Sequence, residues 1–468
     1  MRLTRIWLPL VVVLALPSAQ GQALDWKKIE AETLQHYQAL VRLDTTDPPG
    51  NESRVAEYLK QVLDREGIAA ELHALEPGRA NLVARLPGNG SKRPLLLMSH
   101  TDTVRVDPAK WKFPPFSATR DGGYIYGRGT IDDRDNLTAA LMTLLLLKRQ
   151  NVKLDRDVIL LAEAGEEAAT RVGIEYMVRE HFPAIDAEYC IAEGGATVMS
   201  GGRVQFTQIQ TAEKLPRPVV LTATGTSGHA SIPRLDNPVV HLTAAIAALG
   251  RWKPPIRLTD TTRAYFARLA TISPAADAAR YRALLQPESP AAVAAADYLA
   301  EHDPTKAAML RSTLSPTLLT GGQQRNVIPS EASATIDVRL LPVEDAAAFI
   351  ALMRQVVNDP QVKVEYTEDN LRPAGGSMPL DTEAFRAIEA AVTRNYNTTT
   401  IPTQGTGATD MAFLRQKGIK CYGISAGTDI EDTALGFGMH SDQERLLESE
   451  LYRFVRFNYD IVQAIARR

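Results

Sequence analysis

The chain has 468 residues, 45% hydrophobic and 23% charged, with 52 Lys plus Arg against 55 Asp plus Glu and a net charge of −3. At roughly 150 residues per domain, this length gives two or three domains with ample cores. The even charge balance, without a basic stripe or acidic tail, argues against nucleic acid as a partner, and the two cysteines, Cys190 and Cys421, are too few for a disulfide framework.

Met1-Arg2-Leu3-Thr4-Arg5 carries positive charge, Ile6 to Pro17 is almost wholly apolar, and small residues follow at Ser18, Ala19, Gly21 and Ala23. This is the order of a secretory signal peptide, cut between Ala19 and Ala23. Its apolar run of about a dozen residues is short for a bilayer span, although a retained anchor is the alternative. Residues 1–23 are therefore expected to be a signal peptide. The expected protein is exported, periplasmic or secreted, with no stable membrane insertion after cleavage. In an oxidising compartment Cys190 and Cys421 form either one bond or two buried free thiols.

Residues 25–43 carry apolar positions at helical spacing behind Asp25 as a cap, and Asn51 reads as the cap of a second helix ending near Gly67. Strand-like runs follow at Ala69 to Leu75, Asn81 to Leu86 and Pro94 to Met98. Ser117 to Tyr126 reads as a hairpin around Asp121-Gly122-Gly123, and Asp133 to Gln150 as a long helix. Buried strands at Val158 to Ala162 and Ala187 to Ala192 flank a helix near Thr170 to His181. This alternation predicts an α/β layer sheet with helices on both faces.

The pattern then changes. Pro218 to Thr226 and Ser333 to Leu341 alternate like half-exposed antiparallel strands, with helices near Asn237 to Leu249 and Ala346 to Asn358. Residues 215–374 are therefore expected to be an α+β domain inserted between 24–214 and 375–468, with an all-helical stretch at about 251–313. Helices at Asp381 to Asn395, near Asp410 to Gln416 and from Ser441 onward, with a strand at Lys420 to Ile424, complete the α/β part.

Five places share one feature, a metal-type ligand just after a strand or in a glycine-rich loop: His100, Asp132, Glu166-Glu167, Glu193 and His440. Each also has a plain reading, which for His100 is a hydrogen-bonded core histidine. Glu166-Glu167 could be a solvated charge run, Asp132 a helix cap, Glu193 a turn residue, and His440 a surface cap. His100 and Asp102 lie two apart at a strand exit and point the same way, as a ligand and its supporting carboxylate would. Imidazoles and carboxylates without cysteine favour zinc or a related divalent ion.

The motifs, in order, resemble those of the M20 family of zinc metallopeptidases, which includes aminoacylases, carboxypeptidases and dipeptidases. They are Ser99-His100-Thr101-Asp102-Thr103, Gly127 to Asp133, Glu166-Glu167, Glu193-Gly194, Gly225 to Pro233 and His440 to Glu444. Arg134, Gln443 and Ala192 depart from the family's usual Lys, Asn and Asp, and none of these is a ligand position. The fold the resemblance implies is α/β, a zinc-peptidase catalytic domain with a mixed sheet flanked by helices, plus an inserted α+β, ferredoxin-like lid or dimerisation domain. It implies two zinc ions, with cobalt or manganese as substitutes, bridged by Asp132 ahead of a cis Asp132-Asp133 bond. His100 and Glu193 would complete one site, Glu167 and His440 the other, and Asp102 would orient His100.

By the same resemblance Glu166 is the general base for a metal-activated water. His229, often reaching in from a partner subunit in this family, would stabilise the oxyanion. Asn326, Arg339 and the Gly405 loop would hold substrate, Arg339 pairing with a carboxylate. The expected activity is hydrolysis of an amide bond next to a free carboxylate in short peptides, in the manner of a carboxypeptidase or dipeptidase. The alternative is an N-acyl-amino-acid amidohydrolase. The longer insertion resembles those branches more than compact desuccinylases, and export is at odds with desuccinylation in lysine synthesis. A non-catalytic metal- or peptide-binding protein is a further reading, against which Glu166 counts because zinc binding alone does not need it. The inserted domain leaves room for a homodimer.

Overall fold

Leu95–His100 and Val158–Glu163 are buried along their whole length, as strands covered on both faces must be. Their side chains alternate between two cores. Leu95, Leu97, Val158 and Leu160 face one, while Leu96, Met98, Ile159 and Leu161 face the other. In the computed structural model, which describes residues 24–367 and 371–468, these strands lie parallel near the middle of a mixed ten-stranded sheet. Tyr189–Ala192 and Lys420–Gly423 extend the parallel part. Ala80–Leu86 and Ala69–Ala74 continue it antiparallel on one side, and Arg203–Glu213, Ala196–Ser200 and Gly427–Asp429 lie on the other. Helices Trp26–Val41, Ser53–Arg65, Arg134–Arg149, Glu383–Tyr396 and Glu448–Ala466 cover one face, and Ile174–Glu180 with Met411–Gln416 the other. This is the expected mixed sheet flanked by helices.

A second sheet is built from residues 215–366. Thr313–Gly321, Glu331–Leu340, Val219–Thr224 and Val362–Tyr366 are neighbours in that order and antiparallel throughout. Every second residue of Glu331–Leu340 is buried, so one face packs under Pro238–Arg251 and Ala346–Val357. The chain order is β-α-β-β-α-β. Thr313–Gly321 is the open edge, with Leu318 and Leu319 exposed. Helices Asp260–Ile272, Ala275–Leu284, Pro290–His302 and Pro304–Ala308 lie between Pro238–Arg251 and Thr313–Gly321. Their core takes in Ile401 and Phe206, so they pack against the first sheet.

Asp25 caps the first helix, accepting from the Lys28 N–H. Two expectations need correction. Asn51 does not cap the second helix: its φ is 132°, Glu52 occupies the cap position, and the Glu52 carboxylate is buried on Arg79 instead. The terminal helix starts at Glu448, because Arg445–Leu447 is a strand paired with Tyr124–Tyr126. Arg203–Glu213, Ala196–Ser200 and Thr400–Gly405 are strands that sequence reading missed. Cys190 and Cys421 are register partners on adjacent strands, buried and free. Among the described residues no helix is long and apolar enough to cross a membrane. The signal-peptide expectation lies outside the described residues.

Candidate metal centre

Parallel strands end side by side, and the centre forms at those carboxyl ends. His100 closes Leu95–His100 opposite Glu163 in register, and Glu193 follows Tyr189–Ala192. Asp132 comes from the turn between the Tyr124–Tyr126 strand and the Arg134–Arg149 helix, and its bond to Asp133 is cis. Asp132 is no helix cap: Asp133 holds that place, accepting from the His100 N–H at 3.2 Å and from Asn136 at 2.7 Å. The turn is pinned by Glu444, fully buried, which accepts from Arg128 at 2.7 Å and from the N–H groups of Ile131 at 2.8 Å and Gly129 at 3.2 Å.

The two oxygens of Asp132 face different imidazoles. Oδ1 lies 2.8 Å from His100 Nε2 and Oδ2 lies 3.0 Å from His440 Nε2. His440 Nε2 is also 3.0 Å from Glu167 Oε1, and Glu193 Oε2 is 4.0 Å from His100 Nε2. His440 has φ 61°, a left-handed conformation that a non-glycine residue adopts at a cost. Asp102, fully buried, stands 3.4 Å from His100 Nδ1 and accepts from the N–H groups of Glu166 at 3.1 Å and Glu167 at 2.9 Å. It therefore orients the ring and fixes the loop that carries both glutamates. Donor atoms of His100, Asp132 and Glu167 lie within 4.8 Å of one another, as do those of His100, Glu166 and Glu193, and each set could hold a metal ion.

The electrostatics fit a cation. Burial opposes ionisation of Asp132, but the bonds to His100 and His440 outweigh it and hold its carboxyl well below the usual range. Burial, then the charge of Glu166, pushes Glu193 well up, and burial pushes Asp133 up to about 7. Bonds to Asp132 and Glu167 raise the His440 imidazole to about 10. Burial alone would lower His100, yet Asp102 and Asp132 raise it strongly. Imidazoles that cling to protons mark a pocket with surplus negative charge, which divalent cations satisfy better. A third acidic set, Asp47, Glu52 and Asp102, is already compensated: Arg79 binds Asp47 at 2.8 Å and Glu52 at 2.6 Å.

The remaining expected residues lie on other elements. His229, on the short Gly228–His229 strand, is exposed, and its Nδ1 accepts from Ser231 Oγ at 2.7 Å. Among the described residues no hydrogen bond or ion pair joins it to the cluster. Asn326 is exposed and its carbonyl accepts from the Ala230 N–H at 3.0 Å. Arg339 forks onto Asp337 at 2.8 and 3.2 Å within its own strand. Gly405 accepts from the Lys214 N–H at 2.9 Å, and a Cβ there would meet Gln210 Oε1 at 2.7 Å. Sequence reading missed Arg372, whose Nη2 lies 2.8 Å from Glu166 Oε1. The carboxylates Glu163 and Asp410, to which the sequence assigned no role of their own, are buried nearby.

The description of the peptidase family M20/M25/M40 matches residues 96–464. The chain belongs to this family. A probable succinyl-diaminopimelate desuccinylase of Staphylococcus aureus (strain MSSA476) is 29% identical over 333 residues, 70% of this chain and 72% of that protein. Aminoacylase-1A of Rattus norvegicus is 26% identical over 439 residues, 92% of this chain and 94% of that one. The M20 family metallo-carboxypeptidase Sso-CP2 from Sulfolobus solfataricus has the same fold, with a TM-score of 0.68 at 21% identity, covering 93% of this chain and 99% of that structure. This M20 chain is thus an amide-bond hydrolase with residue groups able to hold metal.

Proposed function

We propose that the protein is a two-zinc hydrolase that cleaves an amide bond next to a free carboxylate in short peptides, as carboxypeptidases and dipeptidases do. The observation that carries this reading is Asp132, one oxygen at 2.8 Å from His100 and the other at 3.0 Å from His440, with Glu166 beside them. His100, Asp132 and Glu193 would hold one ion, and Asp132, Glu167 and His440 the other. When bound, such a pair supplies Lewis acidity and acidifies a water molecule.

Glu166 would accept a proton from the water as its oxygen adds to the amide carbonyl carbon, and would return that proton to the amine nitrogen as the C–N bond breaks. Asp102 keeps the His100 ring in place and fixes the Glu166-Glu167 loop through its two N–H acceptances. Arg339 receives the substrate carboxylate by exchanging it for Asp337, a swap that preserves the bidentate pairing. Asn326 and the close approach allowed at Gly405 hold the rest of the substrate. His229, which among the described residues has no hydrogen bond or ion pair to this chain's own cluster, serves the site of a second copy in a homodimer formed through the second sheet. Residues 1–23 direct export.

A second reading, hydrolysis of N-acyl amino acids, is favoured by the similarity to aminoacylase-1A along 92% of the chain. Both readings share the bond cleaved and differ in the group on its acyl side. Zinc-loaded protein incubated with dipeptides, longer peptides, N-acyl amino acids and N-succinyl-diaminopimelate separates them by the amine released. Preference for free dipeptides supports the first reading and preference for acylated amino acids the second. Release from none of the four contradicts both.

A further inference from the structure

Arg372 lies on the segment that returns from the second sheet after Val362–Tyr366, and its side chain is 14% exposed. Its Nη2 donates to the backbone carbonyl of Glu166 at 2.9 Å and stands 2.8 Å from Oε1 of the same residue. Its Nη1 is 3.4 Å from Asp410 Oδ1. Asp410, at the head of Met411–Gln416, is buried, and among the described residues neither of its oxygens has a hydrogen-bond partner. Arg372 therefore bridges the Glu166 loop and the loop running from Gly405 to Asp410.

The grip matters because Glu166 has two options. Its carboxylate lies within 4.8 Å of donor atoms on His100 and Glu193, near enough to join them around a cation. A glutamate side chain also has several torsions to settle, and the carboxyls of Glu193, Glu163 and Asp410 lie close enough for their charges to oppose that of Glu166. Asp102 holds the Glu166 N–H at 3.1 Å but does not touch its carboxylate. Among the described residues, Arg372 alone forms an ion pair with that carboxylate.

We propose that Arg372 is a positioning residue that keeps Glu166 a base: its guanidinium, backed by Asp410, occupies the Glu166 carboxylate and stops it from collapsing onto the metal. The inference rests on Glu166 being the base. It assigns Arg372 no contact with substrate, so its loss acts on turnover and on coordination, leaving substrate affinity alone.

The test uses Arg372→Gln, with Arg372→Lys as a second variant that keeps the charge but loses the fork. The full chain is loaded with zinc for kinetics and with cobalt(II) for absorbance. The expected loss in kcat for Arg372→Gln is about 10- to 100-fold, the usual range for a group that orients a ligand or base, with KM near wild type and two metal equivalents retained. Arg372→Lys recovers part of the loss. The cobalt(II) absorbance of Arg372→Gln weakens as Glu166 joins the coordination sphere, and that change disappears in Glu166→Ala/Arg372→Gln. The double variant is no slower than Glu166→Ala alone, because both changes act through one group.

Wild-type kcat in both Arg372 variants overturns the inference, as does a rise in KM at unchanged kcat, which marks a substrate-binding arginine. Additive losses in the double variant or an unaltered cobalt(II) spectrum also overturn it. If Glu166→Ala itself turns over normally, the reading of Glu166 as base falls and this inference falls with it. An inactive Glu166→Ala beside a fully active Arg372→Gln defeats the inference alone.

Discussion

Asp132 is the residue whose loss separates a bridged pair of ions from two independent ones. One of its oxygens faces His100 and the other His440, so Asp132→Ala should release both equivalents of zinc, read by metal analysis after dialysis. Retention of one full equivalent would show that the two positions do not share this carboxylate. The residue scale is also where sequence was most informative. Seven side chains that the motifs singled out, His100, Asp102, Asp132, Glu166, Glu167, Glu193 and His440, come together because each stands at a strand end or in a fixed turn. Arg372 was invisible at that level: it is a single arginine in a loop, and its partner lies 206 residues earlier in the chain. No local spacing records such a pairing.

At the scale of elements, the turn carrying Asp132 is only as firm as Glu444. That carboxylate is fully buried and joined to Arg128 at 2.7 Å and to two backbone N–H groups. Removing one partner of a buried pair leaves an uncompensated charge, so Glu444→Ala should cost about 3–5 kcal/mol of stability and weaken metal binding as the turn loosens. Chemical denaturation with and without zinc checks this; a loss under 1 kcal/mol with normal zinc affinity would contradict it.

The elements legible in the sequence were those with an unmixed pattern. Leu95–His100 and Val158–Glu163 are apolar runs because helices cover both their faces, and Glu331–Leu340 alternates because only one face is covered. Arg203–Glu213 and Thr400–Gly405 were missed because their buried positions include Thr207, Gln210, Thr211, Thr403 and Gln404, polar residues that interrupt any apolar run. Arg445–Leu447 pairs with a strand about 320 residues earlier, a partnership that a helical reading from Ser441 could not foresee. The Asn51 cap failed for a related reason, since Glu52 beside it is drawn into the buried pair with Arg79.

At the scale of the whole molecule, Lys214 sits where the chain leaves the first sheet for the second. Its ammonium is buried and donates to Ala308 O at 3.0 Å, Arg311 O at 2.9 Å and Thr313 Oγ1 at 2.8 Å, tying the helical stretch to the crossover. Burial pushes its pKa down to about 7 from an ordinary 10.5. Between those values the unfolded chain binds more protons than the folded one. Stability from this group therefore rises as pH climbs through that window and falls away as pH drops towards about 7. Thermal unfolding of wild type and Lys214→Met across the window should show the slope in the first and a flatter profile in the second. Equal slopes would contradict the assignment.

The central claim is that this M20 chain uses Glu166 as a base beside a metal pair that does not depend on it. Zinc content and amine release, measured together on wild type and Glu166→Ala with the preferred substrate, test it most directly. The expected result is two zinc equivalents in both proteins and a fall in kcat of about 10²- to 10⁴-fold in the variant. Turnover near the wild-type rate in a fully loaded Glu166→Ala would contradict the account, and so would a variant that cannot hold zinc.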